Sequence, residues 1–229
     1  MPRSESHRRL VYEAYKGTRS ETEPALKEQF EIAKEVFELM CAPQFTVPKM
    51  EADDIIGTAS VHWAREKGAP CLIVSNDKDL FQLLGPNTSQ IIYRKGKEML
   101  CYTEADFEVE YGIKTSQWID AKALLGDKGD NIPGVNGVGE KAVFPMLQQY
   151  GSIEGIYRDL SALEANFKRY ITKLEDGKED AFLSKQLATI VTNANLTKNW
   201  DHYQIQMSKK GMIEAFQKFE FDSLLEKIS

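Results

Sequence analysis

The stretch "PCLIVSND", residues 70–77, most restricts what this chain can become. A short continuous apolar run that ends abruptly in polar residues suits a buried parallel strand, with Asp77 and Asp79 at its carboxyl end. Helical spacing precedes it. "EPALKEQFEIAKEVFELM" sets Leu26, Phe30, Ala33, Phe37 and Met40 at steps of four and three after Pro24, and "EADDIIGTASVHWAREKG" repeats the pattern through Ile55, Ile56, Ala59 and Trp63 to Gly68. Downstream, "SQIIYRKGKEMLCY" reads as two strands around Gly96, and "TEADFEVEYG" as a helix capped by Thr103 and stopped by Gly112. Strands fade after residue 115 and helices recur. The expectation is an α/β protein whose parallel-sheet core occupies 1–112, followed by a helical region over 113–229.

Such sheets bind ligands at the carboxyl ends of their strands, and the acids of this chain gather in matching places. "EADD" puts Glu51, Asp53 and Asp54 at a helix start. "NDKD" puts Asp77 and Asp79 at a strand end, and "DKGD" puts Asp127 and Asp130 in a loop stiffened by Pro133 and Gly134. Each pair alone has a structural reading, because helix dipoles favour acids in a first turn and Asp is common in turns. Three pairs on separate elements point instead to Mg²⁺, which takes oxygen ligands and keeps several waters. The formal net charge is −6, yet without these seven acids the remainder carries +1. Arg3, Arg8, Arg9, Lys16 and Arg19 crowd the first twenty residues. An acidic pocket beside a basic rim suits a metal-dependent nuclease.

"GVNGVGEK" supplies a phosphate grip, with Gly134, Gly137 and Gly139 ahead of a helix expected to begin near Glu140 and Lys141 in its first turn. Pro145 should distort that helix. Cys41, Cys71 and Cys101 are widely spaced and the three histidines scattered, which argues against zinc and a disulfide framework. No apolar run approaches a membrane span and no signal pattern opens the chain, so the expected compartment is the cytoplasm.

In order and spacing, "YKGTR", "EADD", "NDKDL", "LLGDKGDNIPGV" and "GVGEK" resemble the 5′ nuclease family of flap endonucleases, bacteriophage 5′ exonucleases and the N-terminal nuclease domain of bacterial DNA polymerase I. The resemblance runs from about Arg8 to about Leu196. It implies a PIN-like (Rossmann-like) nuclease core followed by a helix-three-turn-helix module, and a structure-specific 5′-3′ exonuclease or flap endonuclease using two Mg²⁺ ions, with Mn²⁺ able to substitute. Glu51 and Asp53 then resemble ligands of the first metal, with Asp54 nearby. Asp77, Asp79, Asp127 and Asp130 resemble those of the second. Lys16 and Arg19 resemble a catalytic basic pair at the base of an arch, and Tyr15 a base-stacking or packed tyrosine. Gly134, Val135, Gly137, Val138, Gly139 and Lys141 would grip duplex DNA with a K⁺ ion.

Family members begin with a strand ending in Asp and a second ending in "FD", whereas "MPRSESHRRLVYEAYKGTR" resembles the stretch that follows these. The resemblance therefore implies an N-terminally incomplete core, an exposed apolar face on the strand at 71–75, and impaired activity. The partners it implies are DNA with a 5′ flap or 5′ end, a DNA polymerase, or a chain supplying the missing strands. The alternative is a non-catalytic DNA-junction or flap-binding protein.

Overall fold

The computed structural model describes residues 6–93, 98–197 and 199–228. In chain order the elements are α1 (His7–Val11), α2 (Pro24–Leu39), α3 (Ala52–Lys67), β1 (Cys71–Val74), β2 (Thr88–Tyr93), β3 (Met99–Tyr102), α4 (Glu104–Tyr111) and α5 (Trp118–Leu125). They continue with α6 (Glu140–Tyr150), α7 (Ile153–Arg158), α8 (Ile171–Asp176), α9 (Lys178–Ala188), α10 (Lys209–Lys218) and α11 (Asp222–Ile228). Punctuation residues fix many of the boundaries. Pro24 opens α2, Gly68 and Gly112 end α3 and α4 in the left-handed conformation, and Thr103 caps α4. Helix α6 runs through Pro145, whose missing N–H leaves only the exposed Lys141 carbonyl without its donor.

The chain divides into two compact units, one of residues 1–19 and 48–194 and one of residues 20–47 and 195–229. In the first, Phe81, Tyr102 and Phe107 share a continuous core with Trp118, Leu124, Val143, Met146 and Ile156. Packing therefore runs straight across the boundary expected at 112, because α4 and α5 bury aromatic residues against the same turn of chain, Lys78–Leu83. In the second unit, Val36 of α2 is buried with Ala215 and Phe216 of α10, flanked by Phe219 and Phe221. A side chain at Gly211 would strike the Leu39 carbonyl, so glycine permits the close approach of α10 to the end of α2.

Within the first unit the sheet has order β1-β2-β3, with β1 and β2 parallel and β2 and β3 antiparallel. It is thus mixed, and the turn around Gly96 lies outside the described residues. Register puts Ile73, Gln90 and Tyr102 on a buried face, where Ile73 meets Ile56 of α3, Leu80 and Ile190. The opposite face carries Leu72, Val74, Ile91, Tyr93, Met99 and Cys101. Leu72, Val74 and Met99 are 60%, 65% and 66% exposed. Parallel strands are ordinarily covered on both sides, so this face and the β1 edge are open among the described residues.

One buried ion pair ties the start of the chain to this frame. Arg8 donates to both oxygens of Asp54, at 2.9 and 2.8 Å, and two further N–H groups reach the carbonyls of Leu187 and Thr189. Asp54 in turn accepts from the Val191 and Glu51 N–H groups. Removing one partner strands the other in the interior. Asp54→Ala should cost about 3–5 kcal/mol of stability, and an Arg8→Met/Asp54→Leu double replacement should recover at least half of that loss in urea unfolding.

Candidate functional site

The acids of the first unit form a ribbon in which carboxylates alternate with cations. At one end the α3 N-terminus presents Glu51, Asp53 and Asp54. Glu51 accepts from the Lys16 ammonium at 2.5 Å and the Ser6 hydroxyl at 2.7 Å. Burial works to raise its pKa, but these donors and Arg8 outweigh it and hold Glu51 below the usual range. Asp53 has a weaker set, the Asp54 N–H at 2.9 Å and the Arg8 guanidinium at 3.8 Å. Burial pushes it up to about 6, with Arg8 opposing and the Asp54 and Glu51 charges adding to the rise. Asp54, with four hydrogen bonds from Arg8 and two backbone N–H groups, has both oxygens committed to the scaffold.

The loop after α5 carries the ribbon onward. Asp127 and Ile132 exchange backbone hydrogen bonds, which closes the loop around Asp130. Gly126 and Gly134 take positive φ, and their backbones approach so closely that a Cβ on Gly134 would lie 2.4 Å from the Gly126 nitrogen. Residues 14–19 then lie on this loop: the Lys16 N–H donates to the Asp130 carbonyl, Asn131 to the Ala14 carbonyl, and Arg19 to the Gly129 carbonyl and the Asp130 carboxylate. Lys16 itself takes φ 54°, a conformation costly for a residue with a side chain. Its ammonium lies 3.6 Å from Asp130 as well.

At the far end, Asp77 caps the turn after β1 by accepting the Asp79 N–H. The Lys122 ammonium of α5 sits between Asp79 and Asp127, at 2.8 and 2.7 Å. Asp127 also accepts the Gly129 and Asp130 N–H groups. Burial tends to raise both carboxyls; in Asp127 the Lys122 ammonium and these N–H donors prevail and lower it, whereas in Asp79 burial wins. The donors are the oxygen groups that Mg²⁺ prefers, and the ammonium marks a cation position between two of them. No three of these side chains converge into a ready metal cluster among the described residues.

The glycine loop splits the residues assigned to it. Gly137, Gly139 and Lys141 are exposed, and Gly139 caps α6 with its carbonyl, which accepts the Ala142 and Val143 N–H groups and leaves those of Glu140 and Lys141 at the open end of the helix. Gly134, Val135 and Val138 are buried instead. Their N–H groups donate to Ser184, Leu124 and Val135 respectively, and the two valines pack in the core. The Lys173 ammonium donates to the Gly137 carbonyl at 3.1 Å. Tyr15 takes the packed one of its two expected places. It is 3% exposed, packed with Ile132 and Leu187, and its hydroxyl donates to Glu51.

Several residues that shape the site carry no sequence signal of their own. Gln90, fully buried in β2, donates to the Ser75 and Asp77 carbonyls and so fixes the turn bearing Asp77 and Asp79. Trp118 holds the same turn through the Lys78 carbonyl. Lys122 could have been suspected as the lone cation in the apolar run "WIDAKALL".

A family profile described as the 5'-3' exonuclease N-terminal resolvase-like domain matches residues 2–112, and one described as the 5'-3' exonuclease C-terminal SAM fold matches residues 113–211. The chain is 50% identical over 190 residues to a 5'-3' exonuclease of Halalkalibacterium halodurans, covering 83% of this chain and 62% of that one. It is 36% identical over 220 residues to DNA polymerase I of Bacillus subtilis, covering 95% of this chain and 25% of the polymerase. It thus spans less than two thirds of either relative. Among solved structures, a bacteriophage T5 5'-exonuclease with bound zinc matches at TM-score 0.68 and 27% identity, over 96% of this chain and 79% of that one. A T5 flap endonuclease complexed with DNA and metal ions matches at TM-score 0.67 and 26% identity, over 98% and 79%. The catalytic core of Rad2 with DNA substrate shares the fold at TM-score 0.60 and 13% identity, over 97% and 74%. The two profiles, met in order across residues 2–211, and the relatives that carry the same stretch place this chain in the 5'-3' exonuclease branch of the 5′ nuclease family.

Proposed function

We propose that this chain is a metal-dependent, structure-specific 5′ nuclease that hydrolyses phosphodiester bonds at 5′ ends and flaps of DNA. The observation that carries the reading is the ribbon itself: carboxylates from the α3 N-terminus, the β1 end and the α5–α6 loop are linked through Lys16 and Lys122. Glu51, Asp53, Asp77, Asp79, Asp127 and Asp130 are the acids proposed to hold two Mg²⁺ ions. Asp54 serves mainly to position them. Bound divalent ions would activate a water and offset charge on the reacting phosphate. Lys16 and Arg19 hold Glu51 and Asp130, and set positive charge beside the place a phosphate would take.

Recognition is proposed to address DNA backbone rather than bases. Gly137, Gly139 and Lys141, with the first turn of α6, offer backbone N–H groups and an ammonium to a phosphate, and Lys173 occupies a carbonyl of the same loop where K⁺ was expected. The open sheet face fits a partner chain that adds a strand to the β1 edge and covers Leu72, Val74 and Met99. No helix among the described residues is long and apolar enough to cross a membrane.

The purified chain incubated alone with a 5′-labelled flap DNA and Mg²⁺ should release short 5′ products. EDTA should abolish them, and Asp79→Asn or Asp130→Asn should slow cleavage roughly a hundredfold. A flap bound but left uncut in both Mg²⁺ and Mn²⁺ would contradict the unaided nuclease; cleavage restored by a strand-supplying partner would then separate an incomplete enzyme from a junction binder. In EDTA, Lys141→Glu should weaken flap binding roughly tenfold at low salt and flatten its salt dependence, read by fluorescence anisotropy.

A further inference from the structure

The cation that already lies between Asp79 and Asp127 belongs to the protein. Helix α5 holds it there firmly: Ala121, Ala123 and Leu124 are fully buried, Trp118 is bonded to the Lys78 carbonyl, and Asp120 pairs with Lys185. The Lys122 side chain is only 13% exposed and its ammonium touches one oxygen of each carboxylate. The second oxygen of Asp127 is taken by two backbone N–H groups. A divalent ion seeking both carboxylates therefore meets an occupied position.

We propose that Lys122 is the resident counter-cation of the Asp79–Asp127 pair, and that a divalent ion binds these carboxylates only by displacing its ammonium. This inference rests on the metal-dependent reading above and deepens it. Two carboxylates on separate segments repel when nothing lies between them, and the ammonium keeps them together in the ion-free protein. Lysine suits a displaceable role, being a compact charge on a flexible stem, where arginine would grip a carboxylate with two parallel bonds. The consequence is a site with deliberately weak intrinsic affinity: part of each ion's binding free energy goes into removing Lys122.

The test is Mn²⁺ binding to the full chain without DNA, followed by the loss of the free-ion electron paramagnetic resonance signal. Lys122→Met should tighten the affinity of one ion roughly tenfold or more, while Lys122→Arg should not tighten it. Adding Asp79→Asn to Lys122→Met should erase the gain, which locates the ion at this pair. Should Lys122→Met fail to fold, Lys122→Gln carries the same expectation. Unchanged or weaker binding in the charge-removing variants, with the parent chain binding Mn²⁺, overturns the inference and leaves the metal-dependent reading standing. If neither the parent nor any variant binds Mn²⁺ at millimolar concentration, both fall together.

Discussion

The bidentate pair between Arg8 and Asp54 holds three separate stretches in one place: the opening helix, the start of α3, and the segment that follows α9. A guanidinium and a carboxylate this deeply buried are tolerated because most of their remaining hydrogen-bonding groups are satisfied, by the carbonyls of Leu187 and Thr189 and the N–H groups of Glu51 and Val191. From that fixed point the other acids are placed. Glu51 and Asp53 stand on the α3 turn that Asp54 anchors, and residues 14–19 leave α1 to lie along the loop of Asp130.

The same device recurs along the ribbon with less burial. Lys16 joins Glu51 to Asp130, and Lys122 joins Asp79 to Asp127, so that cations of the chain balance carboxylates gathered from distant parts of the sequence. Such an arrangement answers the difficulty posed by seven acids in three short motifs. It also sorts them. Asp54 and Asp127 spend their oxygens on protein donors, whereas at Asp53 burial outweighs the Asp54 N–H and Arg8 and lifts its pKa to about 6.

Much of this fold is written locally. The apolar run at 71–74, the prolines and glycines that bound α2, α3 and α4, and the glycine cap of α6 each act through neighbouring residues, and all emerged where the sequence put them. What sequence hides are partnerships between remote residues: Arg8 with Asp54, Gln90 with the Asp77 turn, and Lys122 with Asp79 follow from tertiary packing and have no spacing signature. Tyr15, Val135 and Val138 show the converse. Each sits in a motif rich in functional residues, yet its side chain was drawn into the core. The boundary at 112 coincides with the junction of the two family profiles, and the aromatic packing of Phe81 and Phe107 on Trp118 continues across it.

The account's central claim is that Asp54 belongs to the scaffold while Asp79 faces an ion. Locating Mn²⁺ by anomalous scattering in crystals of this chain tests it most directly. The account predicts an ion bonded to Asp79 and none bonded to Asp54, whose pairing with Arg8 stays intact. An ion bonded to Asp54, with Arg8 turned away from it, would contradict the account.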